Sequence, residues 1–325
     1  MVTRIKISDY RKELVSRFWK YQQQAFKNWE KYFGRSIGSD GRPPVFLKHA
    51  DHHNILMAPD ITDSMQKELV SVIPVRERHR WFRSMTSSQA LAQSVFGNLK
   101  VYDRLNYLNE ITDESGKPLL GSDIFSSETF IMEKNVDHLG EPRPTSLDCF
   151  IAGDYQVAIE CKLSEAEIGS CSRPRLRKRD SNYEADSCNG SYKRQRGRKE
   201  RCSLTEIGVP YWKYIPRLFN WPNDIDYDFC PLNKNYQLVR NILAACVRTD
   251  GSVSPNNGHV ALIYDERNPA FQERGNGHRS YEGIKLVLKE PGNLRRCSWQ
   301  NIISHLRKKP YLLWLTDQLK SKYGI

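Results

Sequence analysis

Between Leu147 and Leu163 the side chains alternate in a way that a pair of antiparallel strands satisfies. Val157, Ile159, Cys161 and Leu163 occupy one parity, Glu160 and Lys162 the other. Successive strand residues point to opposite faces, so the apolar set should line the core while Glu160 and Lys162 project together on the other side. Gly153 and Asp154 mark the turn. The place of Asp148 then depends on loop length. A two-residue loop would pair Ala152 with Tyr155 and Asp148 with Ile159, throwing Asp148 to the wrong face. A loop of three residues, Gly153 to Tyr155, or of five, puts Asp148 opposite Glu160, with Cβ atoms about 4.5 to 5.5 Å apart. The odd loop is the expectation.

Two carboxylates that close repel unless a cation lies between them, and hard oxygen ligands favour Mg²⁺ or Mn²⁺. Such an ion lowers the pKa of bound water, holds a phosphate oxygen and neutralises charge on the leaving group. An ammonium from Lys162 could orient or help deprotonate the attacking water, or stabilise the transition state. The chemistry that fits is phosphodiester hydrolysis. The plainer reading of a Glu-x-Lys strand is a half-solvated hairpin showing polar residues to water.

Elsewhere the pattern is helical from Arg11 to Phe33, with Gly34 placed as a C-terminal cap. Loops run on to Pro74, and Asp51, His52 and His53 there read as polar surface more readily than as a metal site. Ser87 and Ser88 offer N-caps to a short helix through Phe96 that Gly97 should end, with Gln89 and Gln93 on one face. An extended run covers Glu128 to Val136, making a three-stranded meander with the hairpin. A helix spans Asn235 to Val247, a buried strand His259 to Tyr264, and a helical stretch broken at Pro310 spans Trp299 to Lys320. There are no internal repeats.

The 325 residues carry 50 Lys and Arg against 38 Asp and Glu, a formal charge of +12. Cys171 to Cys202 alone holds eleven cations and four anions, or +7. Such an excess suits a polyanion, DNA first, and the expected phosphate contacts are Arg76, Arg78, Arg80, Arg83, Arg173, Arg175, Arg177, Lys193, Arg194, Arg196, Arg198 and Arg240. No apolar run is long enough for a membrane helix and the first twelve residues lack an apolar core, so the expectation is a cytoplasmic protein without a membrane partner. A homodimer is compatible with this reading. Eight cysteines are too sparse for a disulfide scaffold. Cys171, Cys188, Cys202 and Cys230 fall in one polar segment, where they could hold Zn²⁺ or an iron-sulfur cluster, although their irregular spacing favours reduced thiols.

The order helix, strand, strand with Asp148, strand with Glu160 and Lys162, helix with Gln237, strand resembles the PD-(D/E)XK nuclease superfamily. So does the wording of Ser87-Ser88-Gln89-Ala90-Leu91, Phe96-Gly97, Arg143-Pro144-Thr145-Ser146-Leu147-Asp148, Tyr236-Gln237-Leu238-Val239-Arg240-Asn241 and Tyr264-Asp265 with Arg267-Asn268-Pro269. The likeness covers Met85 to Pro269 and points to a little-characterised bacterial group. It implies a mixed α/β fold with an αβββαβ core. Asp148, Glu160 and the Cys161 carbonyl would be metal ligands, Lys162 the catalytic lysine and Gln237 a supporting residue. Two departures stand out: Pro144 lies four residues before Asp148, and the first core helix carries Gln89 and Gln93 where many members have an acid. A third carboxylate would have to come from Glu128 or Glu133, and a one-metal site is an option. The expected layout is a helical N-terminal region at 1–84, a nuclease-like domain at 85–298 with a basic, cysteine-bearing insertion at 164–232, and a C-terminal helical segment at 299–325. The expected activity is a Mg²⁺-dependent DNA endonuclease. An exonuclease or RNA nuclease of the same fold, or an inactive nucleic-acid-binding module, are the alternatives.

Overall fold

Five strands make one mixed sheet in the order β1 (Phe130–Asn135), β2 (Ser146–Ile151), β3 (Gln156–Cys161), β4 (Gly258–Tyr264) and β5 (Leu294–Ser298). A computed structural model describes residues 6–34, 41–121, 126–142, 145–171, 188–194 and 198–325. The helices are α1 (Ile7–Ala25), α2 (Asp63–Ser71), α3 (Ser88–Ala92), α4 (Asn98–Val101), α5 (Ser203–Glu206), α6 (Tyr211–Leu218), α7 (Tyr236–Cys246), α8 (Asn276–Val287), α9 (Trp299–Leu306) and α10 (Leu313–Tyr323). Strands β1, β2 and β3 form an antiparallel meander; β3, β4 and β5 run parallel. A parallel step needs a long crossover. The one between β3 and β4 carries the basic segment and returns through α7. The mixed α/β class and the core order α3, β1, β2, β3, α7, β4 are as expected.

Both faces of the sheet are covered. Cys149, Ile151, Val157, Ile159, Cys161, Ala261 and Ile263 pack with Leu14 and Phe18 of α1, Leu91 of α3, and Trp299, Leu315 and Leu319 from the C-terminal helices. Phe150, Ala158, Val260 and Leu262 pack with Ile215 of α6, Leu238 and Ile242 of α7, and Ile284 of α8. Strand β4 is therefore buried along its whole length, as a parallel strand under two helical layers must be. The Tyr10 hydroxyl donates to Leu163 O at 2.9 Å and to Asp265 Oδ2 at 3.0 Å, and the rings of Phe18 and Tyr323 meet edge to face at 5.6 Å. Both ends of the chain thus press on the layer behind β3.

Local expectations fail where packing decides. Helix α1 stops at Ala25, short of Phe33, because Phe26 leaves the helix to join Tyr32, Phe33 and Phe46 at centroid distances of 5.0, 5.2 and 5.6 Å. Gly97 ends nothing: a π turn, Gln93–Gly97, links α3 directly to α4. A Cβ there would stand 3.0 Å from Leu69 Cδ1, so the glycine lets α2 approach. Strand β5 was not foreseen. Its centre, Arg295 and Arg296, has no apolar alternation, since this edge strand sends both guanidiniums outward, Arg296 Nε meeting Glu114 Oε2 at 2.6 Å.

Candidate active site

The β2–β3 register pairs Cys149 with Ile159, Phe150 with Ala158 and Ile151 with Val157. One step further the same register sets Asp148 opposite Glu160, and at the turn it sets Ala152 opposite Gln156, leaving Gly153 to Tyr155 as the three-residue loop. On the other side β1 and β2 pair Met132 with Cys149 and Lys134 with Leu147. Between those pairs Glu133 stands beside Asp148. Three neighbouring strands therefore bring Glu133, Asp148 and Glu160 side by side on the α7 face, with Lys162 two residues beyond Glu160. Glu133 has φ 51, left-handed backbone inside a strand, a conformation that costs a non-glycine residue about 1–3 kcal/mol and is concentrated at functional sites.

All four line one cleft of about 940 Å³, closed by Ser87, Ser88 and Gln89 at the start of α3, by Gln237 and Arg240 of α7, and by His79 and Trp81. The Ser87 hydroxyl accepts from Ala90 N and caps α3, as expected. Glu160 is almost wholly enclosed. Its Oε1 meets Lys162 Nζ at 2.7 Å and accepts from Gln237 Nε2 at 2.8 Å; its Oε2 accepts from Asn241 Nδ2 at 2.8 Å. Lys162 Nζ also donates to Gln237 Oε1 at 3.0 Å. Asp148 Oδ2 accepts from Cys161 N at 2.6 Å, and Ser146 Oγ donates to Glu133. Glu165 lies beside them, its Oε1 accepting from Ser88 Oγ at 2.8 Å.

The charges are unbalanced. Burial, then the nearby Glu160 and Glu133, raises the Asp148 carboxyl well above the ordinary range. Burial raises Glu133 to about 7 against hydrogen bonds from Ser146 and Gln89. Burial also works to lower Lys162, but Glu160, Glu165 and Asp148 outweigh it and hold the ammonium at about 12. Three carboxylates against one ammonium make an oxygen-rich donor set with excess negative charge, which suits a hard divalent cation. Among the described residues no three His, Cys, Asp or Glu side chains stand as a finished ligand set, so binding such an ion requires the carboxylates to rotate toward it.

Other expected residues scatter. Glu128 is exposed ahead of β1, so Glu133 is the acid at the site. Gln93 is buried and donates to Leu69 O at 2.8 Å, whereas Gln89 reaches the cleft and bonds His79 N at 2.9 Å. Among the expected phosphate contacts, Arg78 is sequestered by Asp51 Oδ2 and Val70 O, both at 2.8 Å. Arg198 is buried and donates to Ser203 Oγ at 2.8 Å; Arg240 is buried and bonds Thr145, Ser146 O and Asn241. These three arginines hold loops together and are not open to a phosphate backbone as a whole. Lys193 pairs with Asp228, and Arg83 Nη1 donates to Phe46 O at 3.3 Å. Arg76, Arg80 and Arg194 are exposed, Arg80 lying 5.3 Å from the Trp81 ring. Arg173, Arg175, Arg177 and Arg196 lie outside the described residues. Cys171, Cys188, Cys202 and Cys230 line a separate small pocket. Asn241 was overlooked, although its i,i+4 spacing from Gln237 puts both amides on one side of α7.

A family model described as Restriction Endonuclease associating with ARP matches residues 20–324. The chain belongs to that family. No curated protein and no solved structure matches it significantly.

Proposed function

Proceeding from that membership, we propose that the chain is a divalent-metal-dependent DNA endonuclease of the PD-(D/E)XK type. The observation that carries the reading is the row Glu133, Asp148 and Glu160 on three adjacent strands, with Lys162 on the same face, in one cleft. Asp148 and Glu160 would hold Mg²⁺ or Mn²⁺, with Glu133 a third carboxylate and the Cys161 carbonyl a further oxygen. Such an ion, when bound, would lower the pKa of water so that it loses a proton as it attacks phosphorus, and would neutralise charge on the leaving oxygen.

The chain's own residues do the positioning. Gln237 and Asn241 take one oxygen each of Glu160 and so fix the plane of its carboxylate. Gln237 also holds Lys162 from the other side, leaving the ammonium little freedom. Lys162 keeps its proton at neutral pH; its part is to orient the attacking water or pair with charge developing on the phosphate, rather than to abstract a proton. Trp81 on the cleft wall, with exposed Arg80 over its ring, suits a DNA strand, the arginine for phosphate and the ring for sugar or base.

The test is cleavage of closed-circular and linear DNA with Mg²⁺, Mn²⁺ or EDTA by wild type, Glu160→Gln and Lys162→Ala. The proposal expects metal-dependent nicking of circular DNA by wild type alone. Equal cleavage by all three proteins would remove these residues from the mechanism, and cleavage confined to linear ends would make the enzyme an exonuclease.

A further inference from the structure

Four cysteines from separate stretches of the β3–β4 crossover, Cys171, Cys188, Cys202 and Cys230, line one pocket of about 20 Å³. That space suits a single small guest. Its other walls are Gly190, Ser191, Ser203, Leu204, Leu232 and Asn233. Sulfur is the only strong metal ligand among these side chains, so the pocket prefers a soft or borderline cation to the hard one suited to the cleft.

The backbone around the pocket is already stitched together. Cys171 N donates to Asn233 O and Cys230 N to Gly190 O, both at 2.8 Å, while Tyr192 and Tyr227 exchange two bonds of 2.9 Å. An amide is also aimed at sulfur. Gly190 N donates to Cys188 Sγ at 3.3 Å, whereas burial raises the Cys202 thiol and pushes that of Cys230 up to about 12, a cost that binding a metal to the thiolates would offset. Gly190 has φ 88, which a side chain would disfavour, and this turn aims its amide back at Cys188. Hydrogen bonds of this kind stabilise a thiolate over a thiol, and ligand sulfurs in metal sites are oriented by such outer contacts. None of the four cysteines is in a disulfide.

We infer that Cys171, Cys188, Cys202 and Cys230 form a structural four-cysteine zinc site that fastens the crossover. Thiolates at the four corners of a tetrahedron meet zinc's preference, and the ion would tie together loop segments that approach one another from separate parts of the crossover. The sulfurs do not stand as a finished ligand set; zinc would draw them inward by rotation about χ1 from walls the backbone bonds already hold. The site is separate from the acidic cleft and does not depend on the nuclease reading.

Metal analysis of full-length protein purified without chelator tests it, with zinc release followed as a mercurial titrates the thiols. The expected results are about one zinc per chain, release that tracks thiol modification, and, on cobalt replacement, the sulfur-to-cobalt charge-transfer bands of a thiolate site. Cys297→Ala, remote from the pocket, should keep its zinc, whereas Cys230→Ser should lose most of it. If Cys230→Ser proves insoluble, the wild-type metal content and cobalt spectrum decide. Wild type without stoichiometric zinc, wild type holding iron instead, or zinc retained after the thiols are modified would overturn the assignment.

Discussion

The acidic cleft and the cysteine pocket solve the same problem, gathering like groups in one place, by opposite means. In the cleft, strand pairing does the gathering: Glu133, Asp148 and Glu160 come from β1, β2 and β3, whose ladders fix them beside one another whether or not anything binds. In the pocket no ladder exists. Isolated backbone bonds hold loop segments, and their side chains meet through the four sulfurs, through the Tyr192, Trp212 and Tyr227 rings and through the Lys193–Asp228 pair. The lesson is that pre-organisation paid for by the sheet leaves a site free for catalysis, whereas a site assembled from loops must contribute to folding itself.

Substitutions should separate the two. Glu160→Gln should lower DNA cleavage about a thousandfold, with zinc content unchanged, in a plasmid-nicking assay. Cys202→Ser should do the reverse, lowering Tm by about 10 °C in calorimetry while the molecules that remain folded still cleave. If Cys202→Ser leaves Tm unchanged, the contrast between the regions fails.

Gly169 lies between the two regions. Gly169, two residues before Cys171, accepts from Gln237 N at 3.3 Å, and a Cβ there would fall 2.3 Å from Gln237 Oε1. Gly169→Ala should therefore push Gln237 off Glu160 and Lys162 and cost about tenfold in kcat without releasing zinc.

A smaller effect concerns protons. Glu133, raised from 4.5 to about 7, binds a proton below that value and releases it above. Without added metal its contribution to stability is fullest below 4.5 and is lost as pH rises through 7. Mg²⁺ competes with the same proton, so the rise in Tm on adding Mg²⁺ should be several degrees larger at pH 8 than at pH 6. Glu133→Gln should flatten that difference. Smallest of all, Arg80→Ala should reduce the slope of log affinity against log salt by about one with Tm unchanged, whereas Arg78→Ala should lower stability and leave that slope alone.

How much of this was legible follows from the range of the interactions. The alternation of Val157 to Leu163 and the short Gly153 turn are local, and they carried the register, the face and the neighbours of Glu160. The helix with Gln237 was legible too, but the second amide, Asn241, was passed over because nothing local says which side of α7 meets the sheet. Three of the arginines were misplaced. Arg78, Arg198 and Arg240 read as phosphate contacts in a cationic sequence, yet each is turned inward by partners up to 95 residues away. The cysteine spacing was uninformative for the same reason, since proximity there is set by loop contacts and not by sequence distance.

The strands that carry the three acids also differ in place, two inside the sheet and one at its margin. Strands β2 and β3 are bonded on both sides, but β1 is an edge, and its regular backbone is interrupted at Glu133. Edges open at lower free energy than interior strands. Amide protons of β1 should therefore exchange with solvent before those of β3. The row of three acids thus runs from the margin of the sheet to its interior, with Glu133 on the strand that should open first.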